Sequence, residues 1–254
     1  MERPAVTPNE TVGTWTVERV AETGSTNDDL FDRGRAGAAD HLALMAAHQT
    51  AGKGRLDRRW EAPPGANLLV SLLFRTVPSS PHELVHAVAL AAADSVRAST
   101  GVAPVVKWPN DLLGPDGQAK LAGVLAAAGP FAGDRPSFVV VGLGLNVNWA
   151  PEGATSLSAM AGREVDVDEV LRALLTSLDR YTEMSPSQLH EAYRKRLGTL
   201  RRAVVVHLPG GTTVEGRALD IESDGRLVVL DRCGVTHRFS VGDVVHVRTT
   251  NFGS

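Results

Sequence analysis

The feature that most limits how this chain can fold is a change of rhythm near Leu200. Beyond it, short runs keep the period of two that turns one face of a strand towards a core: Val204 to Val206, Thr212 to Ile221, Leu227 to Asp231 and Val235 to Phe239. Pro209-Gly210-Gly211 and Ser223-Asp224-Gly225 separate these runs with the residues that tight turns require. Several short strands crowded into so few residues predict a small β-barrel. Ahead of Leu200 the pattern is mixed. Strands are predicted over Trp15 to Val20, His41 to His48, Asn67 to Arg75, Val105 to Trp108, Lys120 to Ala127 and Ser137 to Asn148. Helices are predicted from Gly24-Ser25-Thr26-Asn27 to Gly34 or Gly37, from Pro81 to Ser99, from Val167 to Glu183 and from Pro186 to Leu197. Ser25, Thr26 and Asn27 are the capping candidates of the first helix, and Gly101 stands beyond the end of the second. These elements do not alternate as βαβ units, so the fold class is α+β rather than doubly wound. The division falls at 1–199 and 200–254, with residues 1–12 as a loose lead-in.

Composition narrows the function classes. The net charge of −3 gives no global field for gripping DNA or an anionic membrane. Cys233 is the single cysteine, which rules out an internal disulfide and a cysteine-based zinc site. No apolar run approaches the ~18 residues of a membrane span, and the N-terminus lacks a signal-peptide pattern. The expected location is therefore the cytoplasm. His82 and His86 are four apart on a helix, but no third metal ligand is evident. Neither a Gly-x-Ser-x-Gly elbow nor a Walker A loop is present.

Four segments remain as carriers of chemistry. In Gln49 to Trp60, Lys53, Arg55, Arg58 and Arg59 crowd beside Gly52 and Gly54. Glycines let backbone N–H groups approach an anion, arginines present a planar fork to phosphate oxygens, and Trp60 offers a face to a flat ring. A solvated surface loop is the competing explanation. Lys107-Trp-Pro-Asn110-Asp111 places an amide and a carboxylate in a turn stiffened by Pro109, though an Asn-Asp turn between strands is common. Lys120 opens the apolar run Leu121 to Ala127; facing inward it would need an anionic partner, and facing water it would need none. Gly142-Leu-Gly-Leu-Asn146 lacks the third glycine and the capped helix of a dinucleotide fingerprint, and is better read as a strand with small residues where something packs closely.

Taken in order, Gly24-Ser-Thr-Asn27, Gln49 to Arg55 with Trp60, Lys107 to Asp111, Lys120-Leu-Ala-Gly123 and Gly142 to Asn146 resemble the biotin–protein ligase family, with actinobacterial members most similar in the C-terminal Leu208-Pro-Gly-Gly211 and Gly242 to His246. The resemblance runs from about residue 15 to the end of the chain. It implies a catalytic domain like that of class II aminoacyl-tRNA synthetases followed by an SH3-like barrel. It implies that biotin and ATP, with Mg²⁺, form biotinyl-5′-adenylate, whose acyl group passes to a lysine of a biotin carboxyl carrier protein domain.

By the same resemblance, Ser25, Thr26, Asn27, Gln49, Lys53, Gly54, Arg55, Lys120 and Gly123 are the biotin side. Arg55, Arg58, Trp60, Asn110, Asp111, Lys120 and Asn146 are the ATP side. Lys120, Arg55 and Asp111 are the catalytic candidates, while metal ligands stay unassigned beyond the ATP phosphates. Two departures stand out: Lys53 where the family loop has arginine, and Asp57 where it has glycine. A lipoate–protein ligase of the same fold and a non-catalytic biotin binder are the alternatives. Too few residues precede Gly24 for a helix-turn-helix, so no direct DNA binding is expected. Monomer and homodimer, the acceptor's identity and the role of the barrel are left open.

Overall fold

A computed structural model describes residues 10–55, 58–208, 210–240 and 242–246 of the protein. Asp57, Pro209 and the start of the lead-in lie outside these residues. In chain order the first part contains β1 (Glu10–Val12), β2 (Trp15–Thr23), α1 (Thr26–Arg35), β3 (Leu42–Gln49), β4 (Leu68–Phe74), α2 (His82–Thr100), β5 (Val105–Lys107), β6 (Asp111–Leu113), β7 (Lys120–Ala128), β8 (Phe131–Ala132), β9 (Arg135–Pro136), β10 (Val139–Leu145), α3 (Leu157–Ala161), α4 (Val167–Thr182) and α5 (Pro186–Arg196). An eight-stranded sheet runs in the order β1-β2-β3-β4-β10-β7-β6-β5. Only β2 and β3 pair in parallel within it, joined through α1; every other neighbour is antiparallel.

Sequence explains the central position of β4. Leu68-Leu-Val-Ser-Leu-Leu-Phe74 is buried at every residue, as a strand covered on both faces must be. On one face Leu68, Val70, Leu72 and Phe74 join the large apolar cluster that also holds buried residues of α2, α4 and α5. The other meets α1 in a smaller cluster of Val20, Leu30, Leu44, Leu73, Phe138 and Val140. Because α1 covers only part of that second face, the remainder is left for a cavity. Ala87, Ala89 and Ala91 to Ala93 are all buried on α2, where small side chains allow close approach. Its Leu90 is fully buried, and truncation to alanine should cost about 2–5 kcal/mol of stability. Gly101 closes α2 in the left-handed region at φ 74°. Asp166 caps α4 through the Asp168 and Glu169 amides, and Ser185 with Gln188 forms a capping box on α5.

The C-terminal strands β11 (Ala203–His207), β12 (Thr213–Ile221), β13 (Leu227–Asp231), β14 (Thr236–Phe239) and β15 (Asp243–His246) form an antiparallel sheet in the order β14-β13-β12-β11-β15. Its core is continuous with the main one, since Val204, Val206, Ala218, Phe239 and Val244 join the same apolar cluster as α2. The Trp108 indole donates to the Gly225 carbonyl at 3.0 Å, and the Trp108 amide donates to the Thr199 hydroxyl at 2.9 Å. The β5–β6 turn of the first sheet is thereby tied to the β12–β13 turn of the second.

Four local features differ from expectation. Glu10 to Val12, expected in a loose lead-in, form β1 and pair with β2. Ser25 occupies the N-cap of α1, but its side chain makes no capping hydrogen bond. Asp111, expected in a turn, opens β6, which pairs with both β5 and β7. The β8–β9 hairpin and α3 are further elements that the short, weakly patterned runs around them did not reveal.

Candidate active site

The open part of the sheet face holds a cavity of about 600 Å³. Ser25, Thr26, Asn27, Gln49, Lys53, Gly54, Arg55, Arg58, Trp60, Asn110, Asp111, Lys120, Gly123 and Asn146 all line it. Register explains the convergence. Asp111 on β6 stands opposite Gly123 on β7, which stands opposite Gly144 on β10. Two residues along β10, Gly142 faces Leu125 on one side and Ser71 of β4 on the other. Two glycine-bearing rows thus lie side by side on the face that α1 leaves uncovered.

The glycines create the space. A Cβ on Gly144 would lie 2.4 Å from the Trp60 indole, and one on Gly123 would lie 3.3 Å from it. The Gly/Arg loop folds back so that the Trp60 amide donates to the Gly52 carbonyl at 3.0 Å and Lys53 bridges to Arg59. Trp60 is thereby laid over the Gly123–Gly144 row, with Lys120 Nζ 5.7 Å from its ring centre. The indole N–H is buried without a hydrogen-bond partner, an unspent donor inside the cavity.

One part of the cavity is neutral and already hydrogen-bonded. Gln49 Oε1 accepts from the Thr26 amide at 2.8 Å and from its hydroxyl at 3.0 Å, and that hydroxyl contacts the Ser71 hydroxyl at 2.8 Å. Asn27 Nδ2 donates to the Leu125 carbonyl at 3.2 Å, leaving Oδ1 buried and unpartnered. Ser25, Thr26 and Asn27 therefore line the cavity rather than cap the helix with their side chains.

The other part is charged. Lys120 Nζ lies 2.7 Å from Asp111 Oδ1, in contact but without hydrogen-bond alignment, and Lys107 Nζ lies 3.7 Å from Oδ2. Lys120 is neither wholly inward nor wholly solvated: its side chain is 43% exposed and its partner anion 13%. Arg55 donates to Asn110 Oδ1 at 3.1 Å and to the Gly242 carbonyl at 3.1 Å. Burial lowers the Arg55 pKa, while Asp111 and Asp243 pull the other way. Arg58 pairs with Asp243 at 2.7 Å. Burial raises the Asp243 carboxyl, but the Arg58 hydrogen bond and the charges of Lys107, Arg58 and Arg55 outweigh it, so its pKa ends lowered.

Several side chains are committed elsewhere. Asn110 Nδ2 donates to the Val124 carbonyl at 2.8 Å. Asn146 donates to the Thr155 carbonyl at 3.1 Å and accepts from Asn67 at 3.3 Å, so it also fixes the loop after β10. Lys53 reaches outward to Asp28 at 2.7 Å. Sequence reasoning left out Ser71, Trp149 and Asp243, which line the same cavity. Ser71 was visible as the one hydroxyl in an apolar strand; Asp243 carried no such mark.

Residues 21–146 match the biotin/lipoate A/B protein ligase family, and residues 199–247 match the biotin protein ligase C terminal domain. The chain is 42% identical to a biotin--[acetyl-CoA-carboxylase] ligase of Mycobacterium tuberculosis over 244 residues, which cover 90% of this chain and 88% of that protein. It is 30% identical to the bifunctional ligase/repressor BirA of Bacillus subtilis over 235 residues, covering 85% of this chain and 70% of the relative. Among solved structures, the biotin protein ligase from Aquifex aeolicus in complex with biotin and ATP shares the fold with a TM-score of 0.73, at 24% identity, over 92% of this chain and 99% of that one.

Proposed function

The chain belongs to the biotin/lipoate A/B protein ligase family, and we propose that the cavity over the Asp111–Gly123–Gly144 row is where it joins biotin to ATP and passes the biotinyl group on. Its activity is that of an ATP-dependent biotin–protein ligase. In the first step a carboxylate oxygen of biotin bonds to the α-phosphorus as the bond to pyrophosphate breaks. In the second, a lysine amine of the acceptor attacks the acyl carbon, AMP leaves, and the amine loses a proton. The acceptor belongs to a biotin-dependent carboxylase, and we assign it to the biotin carboxyl carrier domain.

One observation carries the reading: Lys120, ion-paired with Asp111, lines one cavity with a neutral hydrogen-bonded recess and a loop of arginines. The first step forces a carboxylate against a polyphosphate, so its barrier falls chiefly by alignment and by fixed positive charge where negative charge crowds. Lys120 is placed for the carboxylate and the α-phosphate. Arg55 and Arg58 are placed for the remaining phosphates, and Mg²⁺ arrives on those phosphates as part of the nucleotide. Thr26, Gln49 and Ser71 supply donors and acceptors to a flat urea-like ring, with Ser25, Asn27 and the Gly142 backbone around it. Trp60 covers the row from above and limits water access to a reactive mixed anhydride.

The test is incorporation of labelled biotin into a purified carrier domain with ATP, beside lipoate and a lipoyl domain. Biotin transfer that needs ATP is the expected result. Lipoate transfer in its place would overturn the substrate assignment, and tight biotin binding without pyrophosphate release would overturn catalysis.

A further inference from the structure

Asp243 belongs to the C-terminal sheet, yet it lines the cavity. It opens β15, which among the described residues is an edge strand paired with β11 alone. Two cations of the Gly/Arg loop reach this corner: Arg58 pairs with the Asp243 carboxylate at 2.7 Å, and Arg55 donates to the neighbouring Gly242 carbonyl at 3.1 Å. The corner is sterically fixed. Gly242 has φ 152°, and a Cβ there would lie 2.9 Å from a Val206 methyl. The carbonyl and the carboxylate are thus presented to the loop from a backbone position that favours glycine.

We propose that Asp243 is the resident counter-anion of the arginine loop: it holds Arg58 at the cavity rim until the nucleotide's triphosphate takes the guanidinium over, so that nucleotide binding loosens the loop's tie to the C-terminal sheet. This rests on reading the cavity as a nucleotide site. The Arg58 side chain is 65% exposed, so its pair with Asp243 is a weak one. A triphosphate carries several charges to the carboxylate's one and presents oxygens matched to an arginine fork. Asp243 stays in the cavity after the exchange, and its own charge then opposes the phosphates. The carboxylate orders the empty loop and lowers the affinity of the filled site. Asp243 is a positioning residue acting through Arg58, with no role in bond making.

The decisive variant is Asp243→Asn, assayed by biotin-dependent pyrophosphate exchange with adenosine as a competing inhibitor. The KM for ATP should fall about three- to fivefold, the scale of a weak surface pair, while the inhibition constant of adenosine, which has no phosphate, stays put. Asp243→Glu, which keeps the charge, should retain the wild-type KM. An ATP KM that is unchanged or raised in the asparagine variant, or an adenosine constant that moves with it, overturns the proposal. Should Asp243→Asn fail to fold, the wild-type protein decides. Amide hydrogen exchange over residues 242–246 should speed up when biotin and α,β-methylene-ATP are added, and unchanged or slower exchange counts against displacement. If the wild type shows no biotin-dependent exchange of pyrophosphate, it is the nucleotide reading that fails.

Discussion

The two ends of the cavity are built on opposite plans. At the neutral end, Thr26, Gln49 and Ser71 satisfy one another over fully or largely buried backbone, and nothing needs to move for the recess to exist. At the charged end three of the cations have a carboxylate in contact, Lys120 with Asp111, Arg58 with Asp243 and Lys53 with Asp28, while Arg55 is held by Asn110 Oδ1 and the Gly242 carbonyl. A neutral recess can stand empty at little cost because its groups pair internally. A cluster of cations cannot, and the protein supplies its own anions until substrate arrives. Substitutions should therefore act through different parameters at the two ends, and four of them test that division.

Lys120→Ala should have the largest effect. It removes the cation from the proposed point of bond formation and leaves the Asp111 side chain, 13% exposed, without its closest cation. The rate of adenylate formation should drop by roughly 10²–10³-fold, as when a fixed charge-stabilising donor is lost. Single-turnover pyrophosphate release measures it. A rate within tenfold of wild type would shift the charge-stabilising role to Arg55 and dissolve the contrast.

Gly144→Val comes next. Its side chain occupies the place of the Trp60 ring, which a Cβ alone would approach to 2.4 Å. Trp60 must leave the row, and misplacement of that size should cost up to about 10²-fold in kcat/KM. Steady-state kinetics together with a shift in tryptophan emission would register it. Unchanged kinetics with shifted emission would show that the indole is not needed over the row. Thr26→Val should cost less and act on one substrate. It strips the hydroxyl that joins Gln49 to Ser71 and leaves both partially unpaired. The KM for biotin should rise roughly tenfold while that for ATP holds, and equal rises in both would erase the distinction between the ends.

What could be read in the sequence follows the same division. The strands β3, β4, β7 and β10, the helices α2, α4 and α5 and the period-two run after Leu200 all bury a regular apolar pattern, and pattern is what sequence displays. β6 escaped because Asp111-Leu-Leu113 is too short to show a period and follows Asn110, a turn residue. Ser25 and Thr26 looked like caps because capping and ligand-facing hydroxyls use the same residue types. The loop, the Lys107–Asp111 turn and Lys120 were legible only as a set in order. Their common destination depends on strand register, which no segment carries alone. Asp243 was visible only as part of the Gly242 to His246 resemblance, and nothing there announces that the second sheet folds back onto Arg58.

Lys53→Arg should have the smallest effect, and it sharpens the contrast most closely. Lys53 stands where similar loops carry arginine, and an arginine fork there would ordinarily imply a better phosphate grip. In this chain, however, the Lys53 side chain is 53% exposed and its ammonium already pairs with Asp28 at 2.7 Å. A longer, planar cation can keep that pair without turning inward. The KM for ATP and for biotin should each change by less than about threefold, the range of exposed ion pairs. A gain in ATP affinity well beyond that would mean that residue 53 leaves Asp28 when nucleotide binds. It would then belong with Arg58 among the cations that exchange a protein carboxylate for a phosphate. A null result would leave Lys53 as a tether between the loop and α1 and confine the exchange to the Arg55–Arg58 side.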